Sequence, residues 1–288
     1  MNDIKLQTVV PPVCEGLHCS YDDKYLLVGS CFSDAVGQKM LHMGMSAMVN
    51  PLGVLYNPLS IAESLTRCIE QRCIAESDLV FYEGVWHSWL HHSSFSRPDK
   101  DACIEACNTA MMLVREALLG GSTLIVTFGT AYVFERVADG RVVGNCHKVA
   151  AANFNRRLVP VAEIVSVWEP LLKDLEKYGT RVVFTVSPIR HLADGAHGNQ
   201  LSKSTLLLAV EALSAIAPIH YFPAYEIVLD ELRDYRFYER DMIHPSELAV
   251  DIVWSHFQES YMSQDDIEKC NEGLRQFKRS AHRKLMNY

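Results

Sequence analysis

Apolar runs alternate with amphipathic stretches along most of this chain. Segments 25–28, 123–128 (TLIVTF) and 181–186 (RVVFTV) are almost continuously apolar and rich in β-branched residues. Runs of that length predict strands buried on both faces, as in a parallel sheet. Shorter strand candidates lie at 46–50 and 220–222. Helical spacing fills the intervals at 33–43, 59–71, 101–118, 160–177, 202–216, 246–261 and 265–282. This order of strands and helices predicts a parallel sheet covered by helices on both faces. Segments 72–100 and 130–158 show no clear period. Long irregular stretches in an α/β domain usually carry function. No linker or repeat interrupts the pattern. The expectation is one domain, with an N-terminal arm (1–24), a core (25–262) and a C-terminal helical tail (263–288).

Two segments carry the candidate chemistry. YLLVGSCFSDAVGQKM reads as a strand, a tight glycine turn and a helix start, with Ser30 and Cys31 as candidate nucleophiles. A helix N-terminus offers free amide N–H groups and partial positive charge, which favour a thiolate and suit an oxyanion. The plainer reading makes Cys31 a small buried residue in a turn. DMIHPSELAVDIVW sets Asp241 three residues before His244, with Pro245 and a Ser246 N-cap leading into a helix. A carboxylate at that reach can hold an imidazole N–H and orient the ring. Nucleophile, base and orienting acid are the parts of covalent acyl transfer. A parallel sheet would bring the two ends of the chain together.

Composition narrows the class. The 288 residues are 49% hydrophobic and 22% charged, enough to bury a full core. A net charge of −8 leaves no basic stripe for a nucleic-acid partner. Nine cysteines at these spacings make no disulfide framework, so reduced thiols and a cytoplasmic location are expected. No leader pattern and no membrane-length apolar run are visible. His87, His91 and His92, and Cys14, His18 and Cys19, are spaced as metal ligands. Neither set has a paired C-x-x-C or an accompanying carboxylate cluster, so no metal is expected. No phosphate-binding glycine motif is present, and no cofactor is expected.

Further residues stand out by position. NCHK sets Asn145, His147 and Lys148 on an irregular loop, as substrate contacts or as a polar turn. SPIRH follows the strand 181–186, and ligands bind beyond the carboxyl ends of such strands. Arg190 suits a substrate carboxylate or phosphate, with His191 beside it; their alternative is an ion pair with Asp194 or Asp241. Ser202 reads as a helix N-cap. Tyr235, Arg236 and Phe237 either wall the site or form a solvated loop.

GSCFS, NPLGVLYNP, TFGTAYVFE, NCHK, TVSPIRH and DMIHPS, in that order, closely resemble the GSCFA family within the SGNH/GDSL hydrolase-like superfamily. The resemblance covers roughly residues 20–260. GDSL enzymes carry their nucleophilic serine after a Gly-Asp pair at the end of the first strand. In that register Gly29 takes the Gly place, Ser30 the Asp place, and Cys31 falls at the nucleophile. The final D-x-x-H block is matched by Asp241 and His244. Gly53 is nearest to the glycine that contributes an oxyanion donor. The third block, usually G-x-N-D, reads Gly129, Thr130, Ala131, Tyr132 here. Its Asn is missing, which leaves Thr130 as the replacement, ahead of Asn145 or Asn57.

The resemblance implies an SGNH hydrolase fold: a three-layer α/β/α sandwich with a flavodoxin-like, five-stranded parallel sheet. It implies an esterase or acyltransferase acting on an O-acyl group, in particular O-acetyl, of a carbohydrate or small metabolite. Cys31 would form the acyl-enzyme, with His244 as base and Asp241 as orienter. Ser30 as nucleophile is the lesser variant. The contrasting expectation is a non-catalytic protein that binds a ligand or partner on the same scaffold.

Overall fold

The computed structural model describes residues 7–13 and 16–286, with side chains through 281. Its elements run β1 (Lys24–Gly29), α1 (Cys31–His42), β2 (Ser46–Val49), α2 (Pro58–Glu70), β3 (Leu79–Tyr82), β4 (Val85–Ser88) and α3 (Lys100–Leu119). There follow β5 (Thr123–Phe128), β6 (Tyr132–Arg136), β7 (Val142–Val143), β8 (Phe154–Leu158), α4 (Val161–Lys177), β9 (Arg181–Val186) and α5 (Gly195–Ser214). The chain closes with β10 (Ile219–Tyr221), a short turn α6 (Ala224–Glu226), α7 (Glu247–Tyr261) and α8 (Gln264–Met286).

Five strands form one parallel sheet in the order β10-β9-β5-β1-β2. Counted along the chain this is 2-1-3-4-5, the flavodoxin-like order of a doubly wound sheet. The order reverses between β1 and β5, so a crevice opens beyond their carboxyl ends. Alternate residues of each strand feed opposite cores. Leu26, Val28, Val126, Phe128 and Phe184 pack with α2, α3, α4 and α5. Tyr25, Leu27, Ile125 and Val183 pack with α1, α7 and Cys270 of α8. Both faces are covered, which is why β1, β5 and β9 read as unbroken apolar runs.

Two expectations about irregular segments are corrected. Segment 72–100 contains the antiparallel hairpin β3–β4, in register Leu79 to Ser88, closed by Glu83 and Gly84. Segment 130–158 contains a second antiparallel sheet in the order β7-β6-β8. These strands have two to five residues, too few to show a period. The helix expected from 202 starts at Gly195, and Ser202 lies buried in its interior rather than at its N-cap. Two glycines and three polar residues in its first turns, GAHGNQ, hid the start.

No helix among the described residues is long and apolar enough to cross a membrane. The eight described cysteines are free thiols. Cys14, weighed above as a metal ligand, lies outside the described residues.

Candidate active site

The turn leading to Cys31 is fixed by sterics and by backbone bonds. Gly29 has φ +141°, and a Cβ there would sit 2.2 Å from the Thr127 carbonyl oxygen on β5. Only glycine allows that approach. Its N–H donates to Asn50 Oδ1 at 2.9 Å, and its carbonyl accepts from the Leu55 N–H at 3.0 Å. Asn50 in turn donates to Asp34 Oδ1 at 2.7 Å on the first turn of α1. Ser30 is the N-cap of α1: its hydroxyl accepts from the Phe32 N–H at 3.3 Å, and the residue is fully buried. Cys31 begins the helix, half-buried, with its sulfur facing a cleft. Its own N–H has no acceptor among the described residues.

That cleft has a volume of about 640 Å³ and lies beyond the ends of β1, β5 and β9. Its floor is Cys31, Tyr56, Asn57 and Thr130. One wall comes from the second small sheet and its loop, chiefly Tyr132, Phe134, Val143 and Phe154. The opposite wall comes from Arg190, His191, Ile243 and His244. The cleft therefore brings together Cys31, Thr130, Asn145, Arg190, His191 and His244 from distant parts of the chain.

Asp241 and His244 form the expected pair. Asp241 Oδ2 lies 2.7 Å from His244 Nδ1, so that ring N–H donates and Nε2 is left free. Asp241 Oδ1 accepts the backbone N–H groups of Ile243 and His244 at 2.9 and 3.0 Å. These bonds hold the Asp241 carboxyl down at about 2. No hydrogen bond joins Cys31 to His244. The partner of the Cys31 sulfur is the Tyr56 phenol, at 3.4 Å.

Tyr56 was not singled out from the sequence, although it sits inside the quoted NPLGVLYNP block. Its backbone carbonyl accepts both the Gly129 and Thr130 N–H groups, at 2.8 and 3.0 Å, which ties the loop before α2 to the end of β5. Its ring packs edge-on to His191. Burial, then the neighbouring thiol, raises its phenol above the ordinary tyrosine value, so it remains a proton donor at neutral pH. Lys203 is likewise not among the site residues expected from the sequence. It is 1% exposed and donates to the Gly129 and Ser187 carbonyls at 2.6 and 2.7 Å, bridging the ends of β5 and β9. Burial lowers its amine to about 7. A neutral amine has two protons, and these two carbonyls take both.

Several expected site residues are placed otherwise. The Gly53 N–H donates to the Asn50 carbonyl at 2.8 Å, and its φ of +79° turns it beneath His92, where a Cβ would lie 2.2 Å from His92 Cβ. It is not free to hold an oxyanion. His147 is buried away from the cleft, Nε2 to the Ser88 carbonyl at 2.7 Å and Nδ1 to Ser93 Oγ at 3.3 Å. Burial lowers its ring to about 4. It is part of the packing behind the wall and not a substrate contact. Arg236 is 73% exposed, pairs with Asp234 and does not line the cleft.

The remaining candidates do border it. Asn145 keeps its Oδ1 on the His147 N–H at 2.8 Å, leaving its amide N–H₂ toward the cleft lining. Asn57 is the N-cap of α2 and spends its side chain on Ser60. Thr130 Oγ1 accepts the Tyr132 N–H at 3.1 Å and shares a bond with Ser202 Oγ at 3.1 Å. Ser202 also takes the Ala131 N–H at 2.8 Å. If Ser202 donates to Thr130, the threonine proton is free for the cleft. The His191 backbone N–H donates to Asn199 Oδ1 at 2.9 Å, and burial, then Lys203, lowers its ring to about 4. Arg190 pairs with neither Asp194 nor Asp241; Asp194 is taken by Arg156, whose guanidinium stacks over Tyr132.

No group of three or more His, Cys, Asp or Glu side chains among the described residues could hold a metal. His87 bonds Ser96 and Tyr82, His91 bonds Ser88, and His92 bonds Ser94, so the three rings point to separate partners.

The model of the GSCFA family matches residues 24–257. No curated protein matches the chain. Among solved structures the chain is similar to a crystal structure of the psychrotrophic esterase EstA from Pseudoalteromonas sp., inhibited by monoethylphosphonate. The two are 12% identical over 83% of this chain and 96% of that one, with a TM-score of 0.39. At that score the fold assignment rests on the strand order and the two covered faces described above.

Proposed function

This chain belongs to the GSCFA family, and we propose that it is an esterase or acyltransferase acting through an acyl-enzyme on Cys31. The observation that carries this reading is the shared cleft. The Cys31 sulfur, at the start of α1, and an imidazole oriented by Asp241 at 2.7 Å open onto the same cavity. The substrate is an O-acyl ester, in particular an O-acetyl group, on a carbohydrate or small metabolite.

The chemistry proceeds in two balanced halves. His244 Nε2 takes the thiol proton as Cys31 Sγ bonds to the ester carbonyl carbon. The Cys31 N–H and the Tyr56 phenol donate to the oxygen that becomes negative. The tetrahedral intermediate collapses, the C–O bond breaks, and His244 returns its proton to the departing alcohol. A thioester remains. His244 then deprotonates water or an acceptor hydroxyl, which attacks the thioester carbon, and the sulfur leaves as thiolate and regains the proton. Water gives an esterase and a second alcohol gives a transferase. Asp241 holds the ring throughout and stabilises its cationic form. Hydrogen bonds of this kind often close only around substrate, which accommodates the open Cys31 to His244 geometry. Ser30 is a poorer nucleophile in this frame, because it is buried and caps the helix.

Brief exposure to p-nitrophenyl acetate, followed by peptide mass spectrometry, tests the reading. An acetyl adduct on Cys31 is expected. It disappears in Cys31→Ala, survives in Ser30→Ala and accumulates in His244→Ala. A binding protein is the second reading, favoured by the sulfur's pairing with Tyr56 rather than His244. Absence of any site-specific adduct and of turnover supports that one.

A further inference from the structure

A second cavity, of about 380 Å³, adjoins the cleft. It lies between the start of α5 and the turns after β10, with the rings of Tyr225, Tyr235 and Tyr238 around it. Its size suits a small-molecule group. Arg190 and Leu192 line both cavities.

The charges around the two cavities are almost all matched. Arg156 pairs with Asp194, Arg233 with Asp230 at 3.0 Å, Arg236 with Asp234 at 3.5 Å, and His244 with Asp241 at 2.7 Å. Arg190 is the exception, with no carboxylate partner among the described residues. Its guanidinium gives one bond to the Met242 carbonyl, at 3.2 Å, and sits 5.8 Å from the Tyr238 ring centre. A guanidinium has five N–H donors in a planar fork that matches two oxygens of one anion. Most of that fork is unspent, and it stands where the two cavities meet.

We infer that the second cavity holds the non-acyl part of the substrate, and that this part carries an anionic oxygen group, a carboxylate or a phosphate, bound by Arg190. The inference rests on the acyl-transfer reading of the cleft. It narrows the substrate from any ester to an ester of an anionic alcohol. The aromatic rings beside Arg190 add a flat face for a ring or sugar that bears the anion.

The test compares three acetyl esters of similar size: 4-acetoxybenzoate, 4-acetoxyphenyl phosphate and the neutral methyl 4-acetoxybenzoate. The wild type is expected to favour at least one anionic ester over the neutral one in kcat/KM by about tenfold or more, the scale of one charged hydrogen-bonding pair. The favoured ester tells carboxylate from phosphate. Arg190→Gln should bring the ratio to about one, Arg190→Lys should retain part of it, and salt should reduce it in the wild type. The ratio is the proper readout because the Arg190 guanidinium also bonds the Met242 carbonyl at 3.2 Å, so substitution here disturbs the His244 loop for every ester alike. Titration of Cys31→Ala with benzoate and with phenyl phosphate, followed by NMR, supplies an arm without turnover. Anion binding that Arg190→Gln abolishes, without hydrolysis of any ester, sinks the acyl-transfer reading and keeps the anion site. Ester turnover with no anionic preference and no binding of either anion overturns this inference alone. Absence of both turnover and binding overturns both.

Discussion

The two sides of the cleft are built on opposite principles. On the Cys31 side, the backbone is held by distant segments: Gly29 by Asn50 and Leu55 in the loop after β2, Ser30 by the Thr127 carbonyl of β5 at 3.2 Å. The turn is buried, and its φ of +141° leaves it no alternative residue. On the His244 side, residues 233–244, ahead of α7, form a largely exposed run of short turns, bonded mostly to itself. Asp241 takes its own neighbours' N–H groups, Glu239 donates to the His244 carbonyl at 2.7 Å, and Met242 sits at φ +58°. Its hydrogen bonds to the body in this stretch run through Arg190 to Met242 and Ile243, while Phe237, Tyr238 and Ile243 pack against the core beside α7. The proposed nucleophile is set by the sheet and the proposed base by a loop. Substitutions that disturb the turn backbone on the first side should therefore act on folding as well as chemistry, and those on the second chiefly on chemistry.

The largest effect is expected at the reacting atoms. Cys31→Ala should lower ester turnover by about 10⁴-fold or more, as loss of a nucleophile does in such triads. His244→Ala should cost a comparable factor. Both proteins should melt within a few degrees of the wild type, since neither side chain fills the core. A His244→Ala enzyme with full activity would break the comparison, because the loop would then carry no chemistry.

Tyr56→Phe comes next. If the phenol donates to the forming oxyanion, its loss should reduce kcat by about 10²-fold with little change in KM. An unchanged kcat would leave the Cys31 N–H as the operative donor. Gly29→Ala tests the rigid side through stability. The added Cβ meets the Thr127 carbonyl and the backbone leaves its allowed region. A loss of about 3 kcal/mol is expected, read as a lower urea midpoint. Asp241→Ala on the other side should move that midpoint far less than Gly29→Ala does, while lowering activity.

The same contrast governs what could be read in advance. The strands and turn of the buried side were legible because their sequence signals are local or periodic: β1, β5 and β9 are apolar almost without interruption, and GSC gives the turn. Asp241 and His244 were legible as a spacing. Tyr56 was not, because its value comes from contact with Cys31 and with two N–H groups at the end of β5, none near it in sequence. Lys203 reads as an ordinary polar helix residue until α5 is packed across the ends of β5 and β9. Gly53 and His147 misled for the opposite reason. Each sits in a suggestive motif, but a positive φ turns each into local packing. Arg236, in a dense charge run, found its carboxylate two residues away in Asp234.

The smallest effect concerns pH and the walls rather than the floor. His91, His147 and His191 all border or underlie the walls, and burial lowers each ring to about 4 from an ordinary 6.5. The unfolded chain thus gains protons as pH falls below about 6.5, while the folded chain does so only near 4. More protons on the unfolded state means stability lost as pH falls through that window, with none lost above it on this account. Between pH 7 and 6 the loss should be about 1 kcal/mol or less for His91, the most deeply buried, and smaller for the other two, which water screens in part. Lys203 adds a slope of the same sign in a separate window, from about 7 up to its ordinary 10.5, where only the unfolded chain keeps the proton. Urea midpoints at pH 7, 6 and 5 measure the acid window. His91→Gln should flatten the dependence there, whatever it does to the midpoint at pH 7. An equally steep slope in that variant would mean that His91 titrates near its ordinary value, and that the walls are wetter than their packing indicates.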